Sequence, residues 1–145
     1  MNVVRAVRCP VRVAYVRAVL GAAWGVVGGA PAGEVSVRIT GDRELRRLNR
    51  SFLGIDEVTD VLSFPAGPGP YLGDLAVSWP AVRRQAAEHG HPEESELALL
   101  LVHGLLHLLG RDHASAPEER AMWAETRACL RAAGVAIAPG RLPGS

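Results

Sequence analysis

The chain has 145 residues, a formal net charge of +1, and 48% hydrophobic but only 5% aromatic content. That length and composition fit one domain with an aliphatic core, and the near-zero charge excludes a global field committed to nucleic acid, so any basic patch must be local. Two isolated cysteines, Cys9 and Cys129, are too few for a disulfide framework or a zinc knuckle and read as free thiols of a cytoplasmic protein.

Val3 and Val4 begin a short edge strand. Arg5, Arg8, Arg12 and Arg17 then precede an apolar run from Ala18 to Ala30, and Ala30-Pro31-Ala32 has the outline of a leader cleavage site. The spacing of Val13, Val16, Val19, Leu20 and Ala23 instead predicts an amphipathic helix with Pro10 in its first turn. The run is too short and too Gly-rich to span a membrane, and Gly28, Gly29 and Pro31 end it. Glu34 to Thr40 alternates as a half-buried strand. Asp42 is the expected N-cap of a helix whose apolar face is Leu45, Leu48 and Phe52. Val61 to Phe64 predicts a short strand, Pro65 to Pro70 a loop, and Leu72 to Ser78 another strand.

Pro80 opens a helix that runs to Gly90. His89 and His91 flank its end, where positive charge is favoured, and are not assigned as ligands. Glu93 to Leu109 is apolar nearly all round from Leu97 onward, the mark of a buried helix. Ser115 caps a final helix from Pro117 to Ala133, with Met122, Trp123 and Leu130 as packing residues. The Gly- and Pro-rich residues 134–145 predict a loose tail. The expectation is an α+β fold: a single domain over 1–145, a small mixed β-sheet and about five helices, with the Glu93–Leu109 helix in the core against the sheet.

That helix carries the chemistry. His103 and His107 lie one turn apart on one helical face. Gly110 stops the helix, because glycine adopts the left-handed conformation at little cost. The chain then turns back toward His113. Three neutral imidazoles make an open site that keeps a position for water, and zinc suits an all-nitrogen set. The spacing after His107 matches the extended zincin helix. Zinc proteases place Glu directly after the first His; Gly104 stands there, which argues against peptide hydrolysis by that mechanism.

Other residues are read with two roles open. Asp112 beside His113 is a candidate to orient a ligand imidazole, or a turn residue. Arg43, Arg46, Arg47 and Arg50 form one helical stripe suited to phosphate contacts, and the stripe fits a solvated helix face equally well. All 16 cations are arginine, which a GC-rich genome explains without invoking phosphate. Tyr71 is the one loop aromatic placed for base stacking or loop packing. Trp24, Trp79 and Trp123 read as core or boundary residues.

Leu48-Asn49-Arg50-Ser51-Phe52, Asp56, Thr59-Asp60-Val61-Leu62-Ser63-Phe64-Pro65, Leu72-Gly73-Asp74 and the segment from His103 to His113 resemble, in that order, the YbeY family of zinc-dependent endoribonucleases and ribosomal RNA maturation factors. The resemblance runs from about Asn49 to the final helix. It implies that His103, His107 and His113 hold one zinc ion. It also implies that single-stranded RNA, notably the 3′ end of small-subunit ribosomal RNA, is the substrate, and that the small ribosomal subunit is a partner. By the same resemblance Asp60, otherwise a plain strand-start residue, sits at the site edge as a catalytic candidate with Asp112. Asp74 belongs to a surface for ribosomal contact. The family commonly has Arg after the aromatic of its Asn block, where this chain has Leu53. The alternative is therefore an assembly factor with a mainly structural zinc and little cleavage.

Overall fold

The computed structural model describes residues 1–28, 33–112 and 114–143. His113 and the segment Gly29 to Ala32 lie outside the described residues. The elements in chain order are β1 (Asn2–Arg5), α1 (Val13–Val27), β2 (Glu34–Thr40), α2 (Asp42–Leu53), β3 (Val61–Pro65), β4 (Tyr71–Ser78), α3 (Trp79–His89), α4 (Glu93–Leu108) and α5 (Ala116–Ala132). This is the α+β architecture that the sequence predicts. The sheet has the order β1-β2-β4-β3. β1, β2 and β4 run parallel, and β3 returns antiparallel on the outside of β4. Among the described residues no helix is long and apolar enough to cross a membrane.

Strand alternation sorts side chains onto two faces. Val35, Val37, Ile39, Leu75 and Val77 join one core cluster with α1, α4 and α5. Leu62 and Ala76 fall in the other cluster, where Leu45 of α2 covers them and Leu48 and Phe64 pack at its edge. The first face is deep: Leu97, Ala98, Leu101, Val102 and Leu106 of α4 are fully buried. Alternation and the two clusters therefore place α4 and α2 on opposite sides of the sheet.

Several local expectations are corrected. α1 starts at Val13 with Arg12 as its extended N-cap residue, so Pro10 lies ahead of the helix. Its flanks Cys9 and Val11 are buried, so core packing shapes this entry. The N-cap of α2 is Gly41, not Asp42. The Asp42 carboxylate instead accepts from Ser78 Oγ at 2.6 Å and from Arg84 at 2.9 and 3.3 Å. Charge-assisted bonds are the stronger attraction, and they tie α2 to α3. Phe52 is 67% exposed rather than part of the inward face. Its ring leans on Phe64 at 5.2 Å, since the small α2 side of the sheet has no further surface to cover it.

The segment after α5 is seated rather than loose. Leu142 is 1% exposed. The Ala138 N–H donates to His91 Nδ1 at 3.0 Å, and Arg141 grips Glu96 through Nε at 2.8 Å and Nη2 at 2.5 Å. The reason is electrostatic. Glu96 of α4 is fully buried, and a buried carboxylate demands a counter-ion.

Candidate metal centre and its cleft

His103 and His107 sit on adjacent turns of α4, as their spacing requires. Their Nε2 atoms are 3.1 Å apart, and the rings meet edge to face with centroids 4.6 Å apart. Two nitrogens each roughly 2.0–2.1 Å from one tetrahedral ion stand about 3.4 Å from each other. The pair therefore fits two corners of such a site. Among the described residues no group of three His, Cys, Asp or Glu side chains converges; the third expected ligand, His113, lies outside them.

Three features hold the pair in place. Gly104, between the two histidines, lets α4 lie close to the sheet. A Cβ there would meet Leu75 Cδ2 at 2.8 Å and Ser63 Oγ at 3.3 Å. Ser63 Oγ donates to the Gly104 carbonyl at 2.9 Å and fastens the helix to β3. On the outer side the Trp123 indole of α5 stacks against His103, with centroids at 5.8 Å and planes 28° apart. Trp123 was expected only to pack; its place beside an imidazole depends on how α5 crosses α4, which periodicity does not encode.

The chain leaves α4 as expected. Gly110 is left-handed at φ +84°. The Gly110 N–H donates to the His107 carbonyl and the Arg111 N–H to the Leu106 carbonyl, both at 3.0 Å, which satisfies the helix-end carbonyls. The Arg111 guanidinium then donates to both Glu125 oxygens at 3.2 and 3.1 Å. That pair anchors the turn to α5 just before the exposed Asp112.

The histidine pair faces a cleft of about 580 Å³, a volume in the range of small-molecule and nucleotide sites. Thr59 to Ser63 and Pro65 form one wall, Leu99, Leu100, His103 and His107 of α4 the other, and Trp123 and Arg141 complete the lining. Asp60 lies in the wall, where one carboxylate oxygen accepts the Val61 N–H at 2.8 Å. Arg141 is the site residue that the sequence reading missed; a lone arginine in a Gly/Pro-rich stretch carries no local signal.

Beneath Arg141 lies a closed buried network. His91 accepts from the Ala138 N–H through Nδ1, so its Nε2 carries the proton and donates to Glu96 at 2.8 Å. Gln85 Nε2 donates to the other Glu96 oxygen at 2.8 Å. Burial pushes the Glu96 carboxyl up, but the bonds from Arg141, His91 and Gln85 outweigh it and hold the group below the usual carboxylate range. Burial also raises the Cys9 and Cys129 thiols, as suits unreactive core cysteines.

The remaining candidates lie apart from the cleft. Arg43, Arg46, Arg47 and Arg50 are all exposed on α2, on the opposite side of the sheet. Arg46 binds Asp56 at 2.8 and 3.2 Å, and Arg47 stands 3.9 Å from Glu44. Acidic neighbours thus offset part of the stripe. Asp74 is exposed and accepts the Tyr71 hydroxyl at 2.5 Å, which raises the Tyr71 pKa and fixes that ring by its polar end. Leu53 is 55% exposed and borders a second groove of about 720 Å³ with Phe52, Phe64 and Asp74.

The model of the family described as Endoribonuclease YbeY matches residues 13–134. An Endoribonuclease YbeY of Roseiflexus sp. (strain RS-1) is 48% identical over 114 residues, covering 70% of this chain and 71% of the relative. One of Chloroflexus aggregans is 50% identical over 119 residues, covering 72% and 77%. The solution structure of TM1509 from Thermotoga maritima superposes with a TM-score of 0.67 at 25% identity, covering 91% of this chain and 87% of that one. On the family match over residues 13–134 and the identity to these relatives, the chain belongs to the Endoribonuclease YbeY family.

Proposed function

We propose that this protein is a metal-dependent endoribonuclease that cuts single-stranded RNA, acting on the 3′ end of small-subunit ribosomal RNA during ribosome maturation in the cytoplasm. The observation that carries this reading is the meeting of His103 Nε2 and His107 Nε2, 3.1 Å apart, in the wall of the cleft. His113 completes the proposed ligand set, and zinc is the proposed ion. A divalent ion, if held by these imidazoles, would supply a hydrolytic nucleophile at neutral pH and would offset charge building on the phosphate. The chain's own residues do the rest. Ser63 and Gly104 fix the height of α4 above the sheet, and Trp123 restrains the His103 ring. Asp60 presents a carboxylate that can orient a water or a ribose hydroxyl.

The test combines metal analysis of purified protein with cleavage of a short single-stranded RNA by the metal-loaded protein and by His107→Ala. Near-stoichiometric metal and cleavage in the wild type, both lost in the variant, support the reading. Equal cleavage by the two proteins overturns it.

A second reading is an assembly factor with a mainly structural zinc, binding the small ribosomal subunit through the Asp74 side of the sheet. It is favoured by the exposed apolar row Phe52, Leu53, Ile55 and Val58, 47–67% exposed. A cluster of that kind marks an interaction surface. Subunit binding that survives His107→Ala, in a protein without cleavage, favours this alternative.

A further inference from the structure

Arg141 is the only arginine lining the cleft among the described residues, and Asp60 is the only carboxylate there. It comes from the segment beyond residue 134, where the family-model match ends. Its side chain is 17% exposed and its partner Glu96 is fully buried. A guanidinium has five N–H donors in a rigid fork. Two of them go to the Glu96 oxygens, one from Nε and one from Nη2, which leaves three for other partners. The carboxylate thus fixes the orientation of the plane and offsets its charge, while Arg141 lines the cleft. Such a clamp suits a tetrahedral anion, because arginine meets phosphate oxygens through paired, directional bonds. Glu96 is itself held by His91 and Gln85, so the clamp is braced from the core outward.

Resting on the endoribonuclease reading, we propose that Arg141 is a substrate-positioning residue that binds a backbone phosphate of the RNA strand lying in the cleft beside the histidine pair. Glu96 acts only through Arg141, by holding it.

The test reads binding rather than turnover. A short fluorescein-labelled single-stranded RNA with 2′-O-methyl riboses, which resists cleavage, is titrated in chelator against four full-length proteins. These are wild type, Arg141→Lys, Arg141→Gln and the double variant Glu96→Gln/Arg141→Gln. The double variant also removes the buried carboxylate that the single glutamine variant leaves without its counter-ion. Circular dichroism confirms that each is folded. The expected result is binding about tenfold weaker in the double variant and a log K against log salt slope shallower by about 0.7, the value of one phosphate contact to a single strand. Arg141→Lys regains the slope. A folded double variant with wild-type affinity and slope overturns the proposal, as does a lysine variant no better than glutamine, or a wild type that does not bind. Binding that depends on Arg141 in a protein without metal-dependent cleavage keeps the proposal and sinks the nuclease reading instead.

Discussion

The two sides of the sheet are built to different standards. On the α4 side a largely buried helix, packed by α1 and α5, carries the two half-buried imidazoles. On the α2 side one amphipathic helix covers a few residues of β3 and β4, and Phe52, Leu53 and the arginine stripe remain in solvent. The lesson is that the denser packing lies on the side that carries the histidine pair. The opposite side keeps the exposed apolar and charged groups from which contact surfaces are made.

The contrast can be broken or sharpened by measurement. The largest effect is expected from His107→Ala, which should lower bound metal and RNA cleavage by more than the roughly 100-fold that loss of an outer-shell partner costs, with a nearly unchanged urea midpoint when both proteins are compared in chelator. Leu101→Ala, on the deep side, should cost about 2–5 kcal/mol in urea unfolding. The matching truncation Phe52→Ala should stay within about 0.5 kcal/mol; comparable losses from the two would erase the distinction between the faces. Gly104→Ala should cost about 1–3 kcal/mol by overpacking against Leu75 and should weaken metal binding as α4 lifts off the sheet.

A smaller effect concerns acid. The folded Glu96 carboxyl lies below its ordinary value of 4.5. Its contribution to stability is therefore complete above about that pH and is lost as pH falls through the folded value. Denaturation midpoints measured down the acid limb should decline in that window, and less steeply in Glu96→Gln/Arg141→Gln. The smallest change is expected from Arg46→Ala. Its exposed partner Asp56 leaves the pair well solvated, so the urea midpoint should not move measurably.

The deep side was also the side most legible in the sequence. An apolar run with two histidines one turn apart and a glycine stop announces both a buried helix and the meeting of its two imidazoles, because these signals are local. The strands showed themselves by alternation, and Ser115 accepts the Glu118 N–H as an N-cap should. What escaped depends on distant partners. Asp42 looks like a cap until Arg84 and Ser78 arrive from elsewhere in the fold. Arg141 looks like tail composition until Glu96, 45 positions earlier, needs a counter-ion. Phe52 fits the apolar period of α2, but periodicity does not reveal how little sheet lies beneath it.

The close seating of α4 has a wider consequence. At position 104 a side chain points at Leu75, Ser63 and Val61, down into the strands. A glutamate grafted there, to imitate the proteolytic zincins, would be driven into apolar packing and neutralised by its own desolvation. The helix is rotated so that the slot a peptidase fills with its base faces the floor. Conversion of this scaffold to peptide hydrolysis is thus blocked by orientation as well as by the missing carboxylate, and any engineered base must come from the β3 side of the cleft.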